Sequence, residues 1–108
     1  AQVLGRYVDL IGVRAFPKFV DWAYDRRDIV LTSFAKYSPV PVINMETITH
    51  PCQELAHALA LQEHFGTSDL RGKKYVLTWT YHPKPLNTAV ANSALTIATR
   101  LGMDVTLL

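Results

Sequence analysis

His50 and Gln53 stand three residues apart in Asn44-Met45-Glu46-Thr47-Ile48-Thr49-His50-Pro51-Cys52-Gln53. The segment leaves an apolar run of strand length and enters a helix that Pro51 opens, since proline at the first helical position gives up an N–H that lacks a partner anyway. A helix start presents unpaired N–H groups and about half a positive charge from the macrodipole, which together attract anions such as phosphate. With His50 as the N-cap, Gln53 is the third helical residue and both side chains reach the helix mouth. Imidazole can donate to an oxygen that gains negative charge, and a carboxamide can both donate and accept. The same spacing also fits a structural capping box, in which His50 caps the helix and Gln53 bonds back to the cap. The local pattern by itself favours that plainer reading.

Further residues stand where they could join such a site. Arg14 closes an earlier apolar run, and a guanidinium there could fork onto a phosphate or carboxylate, or simply be a surface or salt-bridged arginine. Glu46 falls on the loop before His50, where it could receive a substrate amine or merely be solvated. The segment Thr80-Tyr81-His82-Pro83-Lys84-Pro85-Leu86-Asn87 carries His82 and Lys84, both able to bind a carboxylate or carbonyl; a solvated loop stiffened by two prolines describes it as well. His50, His57 and His64 recur every seven residues, but seven helical residues rise about 10 Å, so neighbours in that series cannot share one metal ion. No metal and no organic cofactor is expected, and His57 and His64 read as ordinary polar positions. Cys52 reads as a packed or partly exposed thiol rather than a nucleophile. Neither a dinucleotide glycine fingerprint nor a phosphate-cradling glycine loop with lysine is present.

The elements that must position these residues alternate. Apolar runs of strand character cover 9–15, 40–44, 74–80 and 104–108. Between them, helical spacing covers about 27–37, with a short separate turn in 17–24, then 51–65 and 86–101. Leu55, Ala58, Leu61 and Phe65 form the stripe of the second long helix, which Gly66 stops; Val90, Ala94, Ile97 and Leu101 form that of the last, which Gly102 stops. Strands alternating with helices predict an α/β fold of parallel sheets flanked by helices. The polar, glycine-punctuated stretch 66–74 marks a boundary, dividing the chain into 1–66 and 67–108.

Composition narrows the classes. Of 108 residues 49% are hydrophobic and 19% charged, too apolar for intrinsic disorder, and no apolar run reaches the length of a membrane span. A net charge of +2 gives nucleic-acid binding no support. One cysteine forms no internal disulfide, which suits a cytoplasmic location. The chain opens at Ala1 without an initiator methionine and closes inside a strand-like run, so a piece of a longer chain is expected.

Leu4-Gly5-Arg6-Tyr7 through Arg14, Pro41-Val42-Ile43-Asn44 and His50-Pro51-Cys52-Gln53 together resemble the aspartate/ornithine carbamoyltransferase family along essentially the whole chain. The resemblance implies that Arg14, His50 and Gln53 contact carbamoyl phosphate, with Arg14 and His50 as the catalytic groups. It implies that 1–66 ends a carbamoyl-phosphate-binding domain and includes the interdomain helix, and that 67–108 begins the amino-acid-binding domain. Where ornithine-specific members carry a Gly-Asp-Gly-Asn-Asn-like loop, this chain has Tyr81–Asn87, which is consistent with an acylated ornithine; Glu46 and His82 would then face that acceptor. The expected reaction is carbamoyl transfer to the δ-amine of N-acetyl-L-ornithine in arginine biosynthesis, within a homotrimer. N-succinylornithine or ornithine are the alternative acceptors. A non-catalytic flavodoxin-like interaction module is the alternative from another class. The family's Ser-Thr-Arg-Thr-Arg-type phosphate loop and His-Cys-Leu-Pro-type segment are missing from this sequence, so the piece alone is expected to be inactive and poorly stable.

Overall fold

The computed structural model describes residues 1–84 and 86–108, so the stiffening expected from Pro85 lies outside the described residues. After a single 3-10 turn at Leu4–Arg6 the order is β1 (Ile11–Arg14), α1 (Trp22–Asp25), α2 (Ile29–Tyr37), β2 (Val42–Glu46), α3 (Pro51–Phe65), β3 (Lys74–Leu77), α4 (Ala89–Arg100) and β4 (Asp104–Leu107). The α/β alternation expected from the apolar pattern is present. The strands form two separate parallel pairs, β1 with β2 and β3 with β4.

Within β1, Ile11 and Val13 are buried while Gly12 and Arg14 face outward, the two-residue period of a pleated strand. Ile11 lies opposite Val42 and Val13 opposite Asn44, but the register slips before the last pair, so that Glu46 rather than Met45 stands opposite Arg14. Such irregularities re-aim side chains at the rim of a sheet. The slip also corrects the expectation for Glu46. The strand expected over 40–44 runs on through residue 46, so Glu46 is a buried strand end at 7% exposure, not a solvated loop residue.

Helix α3 keeps its expected bounds because both stop signals work. Pro51 occupies the first turn, and Gly66 takes φ 64°, where its N–H reaches the carbonyls of Gln62 and Glu63. Its apolar stripe does not all pack inward: Leu61 packs against the core of Leu70, Ala98 and Met103, whereas Leu55 is exposed. Helix α4 starts later than expected and buries Ala89, Ser93, Ala94 and Ala98, with Val90 turned outward. Small side chains on that face allow α3 and α4 to pack closely. Around β3 and β4 the core is Leu70, Ala98 and Met103, supported by Leu61, Tyr75, Leu101 and Val105. Among the described residues no helix is long and apolar enough to cross a membrane.

Candidate functional site

The carboxyl ends of β1 and β2 lie beside the amino end of α3, the usual place for ligands on an open parallel sheet. The Glu46 carboxylate is the centre of the group found there. Its Oε2 accepts from the Arg14 guanidinium at 2.9 Å and lies 4.0 Å from Nε2 of His50. Its Oε1 accepts from Nδ2 of Asn87 at 3.4 Å. A buried carboxylate needs partners of this kind, since desolvation without them costs several kcal/mol. The Arg14 side chain remains 58% exposed and lies over the Phe16 ring, its guanidinium carbon 5.1 Å from the centroid. Arg14 is therefore held at the sheet rim with its remaining donors open to water.

His50 is the N-cap of α3, and its Nδ1 accepts from the Gln53 backbone N–H at 3.3 Å. A ring nitrogen that accepts carries no proton, so the neutral imidazole bears its proton on Nε2. That N–H is on the side of Glu46 and Arg14. Capping and chemistry are therefore not rival readings of His50: the cap fixes the tautomer that leaves a donor facing the site. Gln53 does not close a capping box. The His50 backbone N–H instead donates to Oγ of Ser93 at 2.7 Å, and the Gln53 side-chain nitrogen lies 3.1 Å from Nε2 of His57. His57, expected to be an ordinary polar position, is thus the partner of a site residue.

The loop from Glu46 to His50 is held from two sides. Oγ1 of Thr47, which is fully buried, donates to Asp28 and accepts from Nδ2 of Asn44 at 2.9 Å; the same amide reaches Oγ1 of Thr49 at 3.2 Å. Asp28 takes φ 47°, a left-handed conformation that aspartate adopts more readily than most residues other than glycine. On the other side Asn92 donates from Nδ2 to the Ile48 carbonyl at 3.0 Å, and Asn87 to the Thr47 carbonyl at 3.4 Å. Asp28, Thr47, Asn92 and Ser93 escaped the sequence reading. Each is a small polar residue on a helix or loop, and only the three-dimensional path shows that all four converge on one loop.

His82 is not brought into this group. Its Nδ1 lies 2.7 Å from the Lys84 carbonyl oxygen and 3.1 Å from the Lys84 nitrogen, both within its own loop. Trp79, Tyr81, His82 and Lys84 line an open depression of about 500 Å³, and the loop ends at Asn87, which touches Glu46. Cys52 is exposed, its sulfur 3.8 Å from the Asn44 carbonyl. Away from the site, the Arg71 side chain bonds Asp69 through two nitrogens at 2.8 and 2.7 Å and holds its carboxyl down at about 2, with the Arg71 backbone N–H adding to the effect. The same bond raises the Arg71 guanidinium.

Residues 1–63 match the family described as aspartate/ornithine carbamoyltransferase, carbamoyl-P binding domain. The whole chain is 92% identical to the N-acetylornithine carbamoyltransferase of Xylella fastidiosa (strain Temecula1 / ATCC 700964), covering 32% of that protein. A crystal structure of acetylornithine transcarbamylase complexed with acetylcitrulline superposes with a TM-score of 0.93 at 93% identity, over 97% of this chain and 31% of the other. A point mutant of N-acetyl-L-ornithine transcarbamylase complexed with carbamyl phosphate and N-succinyl-L-norvaline gives 0.95 at 92% identity, over 99% and 32%. The chain spans about a third of the length of the curated relatives it matches. It belongs to the aspartate/ornithine carbamoyltransferase family.

Proposed function

We propose that the protein containing this chain transfers the carbamoyl group of carbamoyl phosphate to the δ-amine of N-acetyl-L-ornithine, giving N-acetyl-L-citrulline and phosphate. The observation that carries the reading is the cap bond of His50: Nδ1 accepts from the Gln53 N–H, which leaves Nε2 as the donor on the side where Arg14 and Glu46 stand. The identity to N-acetylornithine carbamoyltransferases over the full chain supports the acceptor. The amine attacks the carbamoyl carbon, charge builds on its oxygen, and phosphate departs as the carbon–oxygen bond of the mixed anhydride breaks; the proton lost by the amine leaves with phosphate. Arg14 turns from Glu46 to the carbamoyl oxygen, His50 donates to the same oxygen from Nε2, and Gln53 holds the carbamoyl NH2. Preorganised donors of this kind stabilise a transition state because they need no reorganisation as charge develops. The turn of Arg14 frees Oε2 of Glu46 to receive the δ-amine, while His82 approaches the acceptor from the depression beside Asn87. No resident metal or organic cofactor enters the scheme.

Residues 1–66 are the end of the carbamoyl-phosphate domain together with the joining helix α3, and 67–108 begin the acceptor domain. The family match over 1–63 and the separate β3–β4 pair support that division. The piece by itself is inactive, and the whole enzyme is a cytoplasmic homotrimer of arginine biosynthesis; exposed apolar side chains such as Leu55, Leu59 and Val76 are consistent with burial against the rest of such an enzyme. The test is an assay of the full-length enzyme with carbamoyl phosphate and, separately, N-acetylornithine, N-succinylornithine and ornithine. Preference for the acetyl acceptor supports the assignment; preference for either of the others replaces the acceptor, and no transfer to any of them rejects the function.

A further inference from the structure

The Gln53 side-chain nitrogen lies 3.1 Å from Nε2 of His57, one helical turn further along α3. A carboxamide nitrogen only donates, so Nε2 of His57 is the acceptor and its neutral ring carries the proton on Nδ1. Nδ1 is buried and has no partner among the described residues. With its nitrogen engaged, Gln53 has Oε1 left to act, and Oε1 can only accept. We propose that His57 is a positioning residue that sets the Gln53 amide so that Oε1, not the NH2, meets the carbamoyl NH2; the proposal rests on the carbamoyl-transfer reading above.

The chemistry of the rim explains why this orientation matters. A carbamoyl group presents one oxygen, which accepts, and one NH2, which donates. The rim is rich in donors: the Arg14 guanidinium and Nε2–H of His50. Acceptors are scarce, because Oε1 of Glu46 is partnered by Asn87 and Oε2, once Arg14 turns away, is assigned to the δ-amine. A reversed Gln53 would set its NH2 against the substrate's NH2 and leave both unpaired, with His57 in the other tautomer donating Nε2–H to Oε1. An unpaired buried donor costs more than an ordinary hydrogen bond contributes, a cost this arrangement carries at Nδ1–H of His57 and avoids at the substrate. The orientation also confers selectivity, since acetyl phosphate has the same shape but a methyl group where carbamoyl phosphate has NH2. A site built to bond an NH2 discriminates against an analogue without it.

The experiment uses the full-length enzyme with His57→Leu, His57→Gln, Gln53→Ala and the Gln53→Ala/His57→Leu pair. It reads KM for carbamoyl phosphate and the inhibition constant of acetyl phosphate. His57→Leu is expected to raise KM for carbamoyl phosphate about tenfold while the acetyl phosphate constant stays within about twofold. His57→Gln, whose Oε1 can accept at similar reach, is expected to stay within about threefold of the unmodified enzyme. In the Gln53→Ala background the leucine should add nothing, because two residues acting through one contact are not additive. Equal weakening of both phosphates, or an unchanged carbamoyl phosphate KM in His57→Leu, overturns the proposal alone. An unmodified enzyme that transfers no carbamoyl group overturns the functional reading and the proposal with it. If His57→Leu fails to fold, nitrogen NMR of the unmodified enzyme decides: a proton on Nδ1 of His57 is expected, and a proton on Nε2 refutes the assignment.

Discussion

The backbone N–H of His50 donates to Oγ of Ser93 at 2.7 Å, joining residues 43 positions apart in the chain. A cap residue's N–H at a helix start has no partner within its own helix, and here α4 supplies one. Ser93 is 1% exposed, so water does not compete for its hydroxyl. Asn92 holds the Ile48 carbonyl from the next position on the same helix. The placement of the imidazole therefore depends on α4, which lies beyond the polar stretch 66–74, as much as on β2, which delivers the chain to it.

Ser93→Ala keeps helix propensity and volume nearly unchanged but leaves the His50 N–H without its acceptor. The expected loss is about 1–3 kcal/mol of stability, the cost of an unpaired buried polar group. Denaturant unfolding of the full-length enzyme at unchanged slope measures it. A parallel fall in kcat is expected, because the loop carrying His50 loses its fastening on one side. Stability and turnover both equal to the parent would show that the bond fastens nothing.

His50 caps α3 and, in the proposed reaction, also donates from Nε2, and two substitutions separate the two roles. His50→Ala removes the cap and the Nε2–H donor together; the cap accounts for about 1 kcal/mol and the donor for about 10²-fold or more in turnover. His50→Asn restores an oxygen that can accept from the Gln53 N–H but places no donor where Nε2 stood. Asparagine is therefore expected to recover most of the stability and little of the turnover, as read by thermal melting and steady-state rates. Recovery of both in His50→Asn would mean that the imidazole matters only as a cap.

Much of this arrangement is legible in the residues before any coordinates. Pro51 and Gly66 bound α3 where expected because each supplies a backbone property that no packing needs to override. Arg14, Glu46 and His50 do meet, as the strand-to-helix segment suggests. The extension of β2 to Glu46 was not legible, since a register slip is decided by both strands and leaves no mark on one. Nor was the buried face of α4: alanines and Ser93 carry little hydrophobic signal, so Val90, the larger residue, wrongly suggests the inward stripe. His82 was placed by resemblance alone, and its contacts here stay within its loop.

Asp69 offers a pH-dependent readout outside the site. Hydrogen bonding to Arg71 lowers its carboxyl from 3.8 to about 2. A depressed carboxylate contributes stability that is complete above its unfolded value and disappears as pH falls through the folded one. Asp69→Asn should therefore melt slightly below the parent at pH 5–7, with the gap closing between about pH 4 and pH 2. Both side chains are more than half exposed, so the gap is small and shrinks in high salt. A gap that persists at pH 2 would assign the effect to the turn geometry and not to the charge.

Arg14 and Glu46 form one ion pair with unequal surroundings, and their removal should be unequal too. The Glu46 side chain is 10% exposed and that of Arg14 58%. Arg14→Ala abandons a carboxylate that water cannot easily reach, leaving the Asn87 amide as its remaining hydrogen-bond donor at 3.4 Å. Glu46→Gln abandons a guanidinium that is already mostly solvated, and the new amide oxygen can still accept from it. Breaking a buried pair from the side that strands the buried charge is the costly direction, at about 3–5 kcal/mol for fully buried pairs. Half-exposure of the arginine reduces that, so Arg14→Ala is expected to destabilise the full-length enzyme by about 1–3 kcal/mol more than Glu46→Gln. The double substitution should then be less harmful than the sum of the singles, because the glutamine leaves no charge to strand. Urea unfolding of the three variants measures the inequality. Equal losses from the two singles, or strict additivity in the double, would show that Glu46 draws its stability from Asn87 and the sheet rather than from Arg14, and that Arg14 is already free to meet an incoming acyl phosphate.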